Sequence, residues 1–314
     1  MCFVPLGSNL YFMLKIKPGE IKTALFHSYL LASIAPRPIA FASTVDKNGV
    51  RNLAPFSFFN AFGSKPPILV FSPARRVRDN TIKHTLENIQ ETGEVVINAV
   101  NFDMVQQMSL ASTEYPKGID EFIKSGLTPI ASELVKPFRV KESPVQMECK
   151  VLEVKPMGTE GGAANLIICE VLLLHINEGI LNSENKIDPH KIDLVARMGD
   201  NFYCRASGSS IFEVTKPLTE QGIGVDQIPE RIRLSKILTG NNLGQLGNCK
   251  TLPSKKEVDD FAFRIYVKEL RDRYGKSPEV FENKLHELAQ ALLAKGEVNE
   301  AWITLLYSNS LFIS

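Results

Sequence analysis

The chain has 314 residues, of which 44% are hydrophobic and 23% charged, with a formal net charge of +1. This is the composition of an ordinary globular protein, long enough for one large domain or a domain with an extension. It gives no electrostatic case for nucleic acid or an anionic membrane surface, and the longest apolar stretch, Leu166 to Ile176, is interrupted by Glu170 and His175 and too short to span a bilayer.

Met1 to Phe12 is apolar but lacks a basic n-region, a long h-region and a small-residue cleavage site, so it does not read as a signal peptide. A native extension, a cloning remnant, and a start codon upstream of a true first residue at Met13 all fit it. Ile39 to Val45 predicts a strand, and Asp46-Lys47-Asn48-Gly49 a turn, because Asn-Gly between apolar runs is a strong hairpin signal. The second arm is irregular for a strand: Ala54-Pro55-Phe56-Ser57-Phe58-Phe59-Asn60 mixes a proline and three aromatics with small polar residues. Such a segment suits a flat aromatic ligand that also needs hydrogen bonds, although each phenylalanine alone reads more readily as core.

Further strands are expected at Ile68–Phe71, Glu94–Val100, Val145–Val154 and Leu166–Ile176, the last two forming a long hairpin across the Gly158-rich loop. Short helices are expected where Ile82, Leu86 and Ile89 recur before Gly93, and around Asp120, Glu121 and Phe122 before Gly126. Many short strands with few helices favour a barrel over a doubly wound parallel sheet. From about Thr215 the pattern becomes helical. Ser254-Lys255-Lys256-Glu257 is a capping box whose helix is expected to run to Gly275. Ser277-Pro278 opens another helix, with Phe281, Leu285, Leu288 and Leu292 on one face, and a last one carries Trp302, Leu305 and Leu306. The domains expected are therefore residues 14–214, mainly β, and 215–314, helical.

Five scattered cysteines without a Cys-x-x-Cys pair argue against a disulfide framework or a zinc site, and fit a reducing cytoplasm. There is no Gly-x-Gly-x-x-Gly after a strand and no Walker A sequence. His286-Glu287 lacks the second histidine of a zinc protease. His175, ending an apolar strand, reads as a satisfied core or surface histidine. No catalytic acid, base or nucleophile is assigned, and no metal.

An ordered series of segments resembles the flavin reductase-like family. It begins with Ile34-Ala35-Pro36-Arg37-Pro38-Ile39-Ala40, Ser43-Thr44, Asn52 to Asn60 and Pro66 to Ser72. It continues through Lys83-His84-Thr85-Leu86-Glu87-Asn88-Ile89 and Gly93 to Asn98, with later echoes at Asp120-Glu121-Phe122, Gly126-Leu127-Thr128, Glu148-Cys149, and Arg197-Met198-Gly199 with Tyr203. The resemblance covers roughly residues 20 to 210.

It implies an FMN-binding split β-barrel, Greek-key-like, followed by the helical C-terminal extension. It also implies a homodimer with FMN near the subunit interface and NADH or NADPH as reductant. The implied cofactor-binding residues are Arg37, Ser43, Thr44, Asn52, Ala54, Pro55, Phe56, Ser57, Asn60, Lys83, Thr85 and Asn88, with Ser43, Thr44, Lys83 and Thr85 at the phosphate. One departure is His84, where the family usually has Asp, which alters the local cap.

A flavin carries its own hydride and electron chemistry, so the poverty of acid–base signatures fits a flavin enzyme. The reading is an NAD(P)H-dependent flavin reductase serving a diffusible flavin or a partner oxygenase. Its rivals are a non-catalytic FMN-binding or redox-sensing protein whose helical tail covers the flavin, and a structural barrel that has lost the cofactor.

Overall fold

The fold rests on an antiparallel sheet whose two edge strands are consecutive in sequence. The computed structural model describes residues 13–214, 216 and 221–312; the segment Met1 to Phe12 and the expected boundary residue Thr215 lie outside the described residues. The chain divides between Phe212 and Glu213 into two compact units.

In the first unit, helix α1 (Thr23–Ser33) precedes strands β1 (Ala40–Val45) and β2 (Arg51–Phe56). The expected turn forms: Asp46 Oδ1 accepts from the N–H groups of Asn48 and Val50 at 2.8 and 2.9 Å, and Gly49 takes φ +84°. The second arm is more regular than its composition suggests, since Arg51 to Phe56 pair in unbroken register with Val45 to Ala40. Pro55 is tolerated because β2 lies at the sheet edge, where a missing ladder donor costs little.

Pairing stops at Ser57 and Phe58, and the chain re-enters as β3 (Phe59–Ser64), which pairs with β4 (Pro67–Phe71). Helix α2 (His84–Thr92) ends at Gly93 with φ +69° and leads into β5 (Glu94–Asn98). Next come α3 (Val105–Leu110) and α4 (Glu121–Ser125), the latter capped by the Asp120 side chain on Phe122 N–H and stopped by Gly126. A short pair, β6 (Pro129–Ile130) and β7 (Arg139–Val140), precedes the long hairpin β8 (Val145–Pro156) and β9 (Asn165–Ile176). The unit closes with α5 (Pro189–Ile192) and a hairpin of β10 (Val195–Gly199) and β11 (Phe202–Arg205).

The main sheet runs β2-β1-β5-β8-β9-β4-β3. Because Ser57 and Phe58 alone join its two edges, the twisted sheet curls round until they meet. The result is a barrel split along the β2/β3 seam. One face of the strands forms its interior core, with Ala40, Ala42, Leu69, Phe71, Val95 and Ile167 packed on Leu86 and Ile89 of α2. Burying each of those two α2 residues is worth about 1.5–3 kcal/mol. The other face of β1 and β2 carries Phe41 and Leu53 into a second core with Met104, Met108 and Phe122.

The second unit contains α6 (Glu230–Arg233), α7 (Gly240–Gly247), α8 (Lys255–Phe261), α9 (Ile265–Tyr274), α10 (Pro278–Ala294) and α11 (Val298–Ser310). The Ser254–Glu257 capping box is present. The helix it opens ends at Phe261, however, not at Gly275. Val258 and Phe261 are buried and so is Val267, a phase that one continuous helix would not keep on one face. The break resets it and leaves Ile265 exposed. Trp302 and Leu305 are fully buried, and Trp302 Nε1 donates to the Leu246 carbonyl at 3.1 Å. No helix among the described residues is long and apolar enough to cross a membrane.

Candidate functional site

Strand β1 sets the site by alternation, because neighbouring side chains point to opposite faces. Thr44 lies opposite Asn52 of β2, and both turn toward α2. Asn52 Nδ2 donates to Thr44 Oγ1 at 3.3 Å and to Thr85 Oγ1 at 2.9 Å, and Asn88 Nδ2 donates to Thr44 Oγ1 at 3.1 Å. Four of the expected residues thus form one buried polar network. It is incomplete as it stands. Among the described residues, neither threonine hydroxyl donates its proton, and neither asparagine carbonyl oxygen accepts one.

Ser43 faces the other way. It pairs with Leu53, which belongs to the outer core, and its Oγ is fully buried without a partner among the described residues. Ala54 and Phe56 share the Asn52 face of β2; Phe56 packs on the interior core, 5.6 Å from the Phe71 ring centroid. Pro55 lies opposite Phe41. Ser57 sits in the seam and accepts from Arg37 Nε at 3.4 Å. Asn60 is exposed on β3, its Oδ1 accepting from Ala61 N–H at 2.8 Å. Arg37, almost fully buried, also donates to the Leu31 carbonyl.

Lys83 stands at the N-cap of α2, which has no side-chain cap. Its Nζ meets Glu114 at 2.5 Å, and Arg76 Nε meets the same carboxylate oxygen at 3.0 Å. Lys83 and Arg76 together hold the Glu114 carboxyl below its usual range, although burial opposes them. His84 lines a cavity of about 100 Å³ with Asn52, Asn88, Arg51 and Lys117. Burial pushes its imidazole pKa down, against Glu87.

Two acidic residues near the site were not assigned a role from sequence. Glu114, in Ser-Thr-Glu, carries no local signal. Glu121 lies in a recognised segment, but its function there is long-range: Oε2 accepts from Leu53 N–H of edge strand β2 at 3.0 Å. Burial pushes its carboxyl up, partly offset by that hydrogen bond. Its neighbour Asp120 pairs with Arg51 at 2.5 Å, so α4 is tied to β2 at two consecutive residues.

The donor set fits a flavin phosphate and ribityl chain: hydroxyl protons, amide groups and a lysine at a helix start, beside an edge strand whose seam segment carries aromatics. Lys83 would have to exchange Glu114 for the phosphate.

Comparison with known proteins gives one consistent outcome. Residues 32–189, about half of the chain, match the flavin reductase like domain. An uncharacterized protein of Aquifex aeolicus is 36% identical over 188 residues, covering 60% of this chain and 93% of that one. An uncharacterized protein of Halalkalibacterium halodurans is 33% identical over 210 residues, covering 66% and 99%. Among solved structures, nitrilotriacetate monooxygenase component B from Bacillus cereus is 30% identical with a TM-score of 0.61, covering 65% of this chain and all of that one. A protein with a split barrel domain from Shewanella frigidimarina is 25% identical with a TM-score of 0.53, covering 63% and 94%.

Proposed function

This chain belongs to the flavin reductase-like family, and we propose that its first unit binds FMN and passes reducing equivalents from NADH or NADPH through it. The observation that carries this reading is the Thr44, Asn52, Thr85 and Asn88 network, whose hydroxyl protons and amide oxygens are unused among the described residues and whose two asparagines line a cavity. Because the two asparagines line that cavity beside an edge strand, their unused groups are open to a ligand. The match to the flavin reductase like domain supports flavin as that ligand.

When bound, FMN supplies the hydride and electron chemistry. The chain's own residues bind and orient. Thr44, Thr85 and Lys83 hold the phosphate, Asn52 and Asn88 keep the two hydroxyls in place, and Ala54 allows close approach along β2. Ser57 and Arg37 brace the seam against α1 through the Leu31 carbonyl. The expected contacts Pro55, Phe56 and Asn60 belong to the same proposal, whereas the Ser43 hydroxyl, buried on the opposite face of β1, takes no part in the phosphate grip.

One feature supports a homodimer. Helix α1 buries none of its residues although Leu25, Tyr29 and Leu30 are 43–47% exposed, a surface that a second copy would cover. The Bacillus cereus relative is named as one component of a monooxygenase, which supports delivery of reduced flavin to a separate partner. The four described cysteines are free, in keeping with a reducing cytoplasm.

The test is a visible spectrum of the purified protein, reconstituted with FMN and followed anaerobically after NADH and NADPH are added separately. Bleaching of bound flavin by either nucleotide is the expected result. Flavin that binds but stays oxidised would replace the enzyme with a binding protein, and failure to bind FMN at all would overturn both.

A further inference from the structure

The hairpin of β10 and β11 carries a second polar site, on a different part of the first unit. Arg37 and Arg197 exchange both backbone hydrogen bonds at 2.9 Å, which places their side chains opposite each other on one face. Neither makes an ion pair among the described residues. Arg37 donates to Ser57 Oγ and the Leu31 carbonyl; Arg197 donates to Tyr203 Oη at 2.8 Å and to the Asp200 carbonyl at 2.6 Å. Burial and the nearby Arg197 charge both push the Arg37 pKa down. Two guanidinium groups held together with neutral acceptors alone form a local excess of positive charge.

Arg197 opens into a cavity of about 390 Å³. Gln106, Ser109 and Asn201, all three exposed, line its rim, and among the described residues none of these side chains has a hydrogen-bond partner. Phe102 and Val105 supply an apolar wall. The cavity's other arginine is already committed: Arg205 holds Asp193 through two hydrogen bonds of 2.7 Å, feels the charge of Asp103, and stacks on Phe102 at 3.8 Å. Asp200, at the exposed hairpin tip, pairs with neither arginine through its carboxylate.

We propose that this cavity binds a small organic carboxylate, its charged end on the Arg197 guanidinium and its polar rim on Gln106, Ser109 and Asn201, with its apolar body against Phe102 and Val105. A guanidinium matches a carboxylate in geometry. A single arginine without a carboxylate partner, bonded only to the neutral Tyr203 hydroxyl and Asp200 carbonyl, and no lysine in the lining fit one negative charge better than a phosphate dianion. Its volume falls within the range of small-molecule sites, and its polar rim is open to solvent. Its lining shares no residue with the network of Thr44, Asn52, Thr85 and Asn88.

Isothermal titration of the full chain with benzoate, benzamide and inorganic phosphate tests the assignment. Benzoate binds, and its neutral isostere benzamide is weaker by at least about tenfold, as is phosphate, because only benzoate makes the charge-assisted contact with its body in the apolar wall. Arg197→Gln abolishes the preference for benzoate over benzamide. Since Arg197 also braces Tyr203, the double variant Gln106→Ala with Ser109→Ala provides the second arm: it removes no described contact, should keep the parent melting temperature, and should weaken benzoate by about threefold or more. Equal affinity for benzamide, a preference for phosphate, no binding of benzoate at millimolar concentration, or unchanged affinity in the double variant would each overturn the proposal.

Discussion

Two buried polar networks flank the barrel, and they are finished to different degrees. Under the loop that contains β6 and β7, each side-chain amide both donates and accepts, and both carboxylate oxygens of Glu148 accept. Asn98 donates to the Phe41 carbonyl and accepts from Val140 N–H. Gln146 donates to the carbonyls of Val140 and Ser143 and accepts from Arg139. Glu148 accepts from the N–H groups of Glu133 and Leu134 at 2.9 and 2.6 Å and from His175 at 2.8 Å. The network of Thr44, Asn52, Thr85 and Asn88 instead borders a cavity through its asparagines, and its hydroxyl protons and amide oxygens are unused among the described residues. A closed network holds a loop on a sheet, and an open one waits for something else to complete it.

The closed network gives the largest effect. Glu148→Ala leaves two N–H groups without an acceptor and should lower stability by about 3 kcal/mol in urea unfolding, while the folded protein binds FMN as before. A loss of FMN binding larger than the loss of stability would erase the distinction between the networks.

The two buried carboxylates respond to pH in opposite directions. Burial alone would raise the Glu148 carboxyl, but the Glu133 and Leu134 N–H groups and His175 outweigh it and hold it below its ordinary value. Its contribution is therefore present above that ordinary value, 4.5, and is lost as pH falls through the lower folded value. Glu121 is raised by burial, so its contribution is complete below 4.5 and is lost as pH rises through the higher folded value. Glu121→Gln should accordingly raise the urea midpoint near about pH 8 and leave it unchanged near about pH 4. A gain that is the same at both would show that Glu121 is not titrating against its burial.

The smallest effect sharpens the open network. Glu114→Gln releases Lys83 and Arg76 from an exposed ion pair and should tighten FMN by about two- to fivefold, more at low salt. Weaker FMN binding in this variant would mean that Glu114 supports the site instead of competing for its cations.

Much of this was legible in the sequence, for physical reasons that differ by element. The five expected strands appear because alternating apolar residues on a half-buried sheet leave a period of two. Gly93, Gly126, Asp120 and Ser254 mark helix ends because their conformations or side chains satisfy orphan backbone groups locally. Strands β3, β10 and β11 and helix α1 were not anticipated. The β2 segment looked too irregular, since its edge position, which makes Pro55 harmless, is a property of the whole sheet. The resemblance puts Ser43 and Thr44 at one phosphate, whereas a strand sends their side chains to opposite faces. The bond from Leu53 to Glu121 spans 68 residues and that from Lys83 to Glu114 spans 31, so neither leaves a local pattern to read.

The central claim is that the open network and Lys83 grip a flavin phosphate. Titration of FMN and riboflavin into the parent and into the Lys83→Ala, Thr85→Ala variant tests it most directly, because the two ligands differ by the phosphate group alone. Losing a charge-assisted contact costs on the order of 1.5–3 kcal/mol, so FMN should weaken by about tenfold or more while riboflavin changes little. Equal weakening of both ligands would place the phosphate elsewhere and contradict the account.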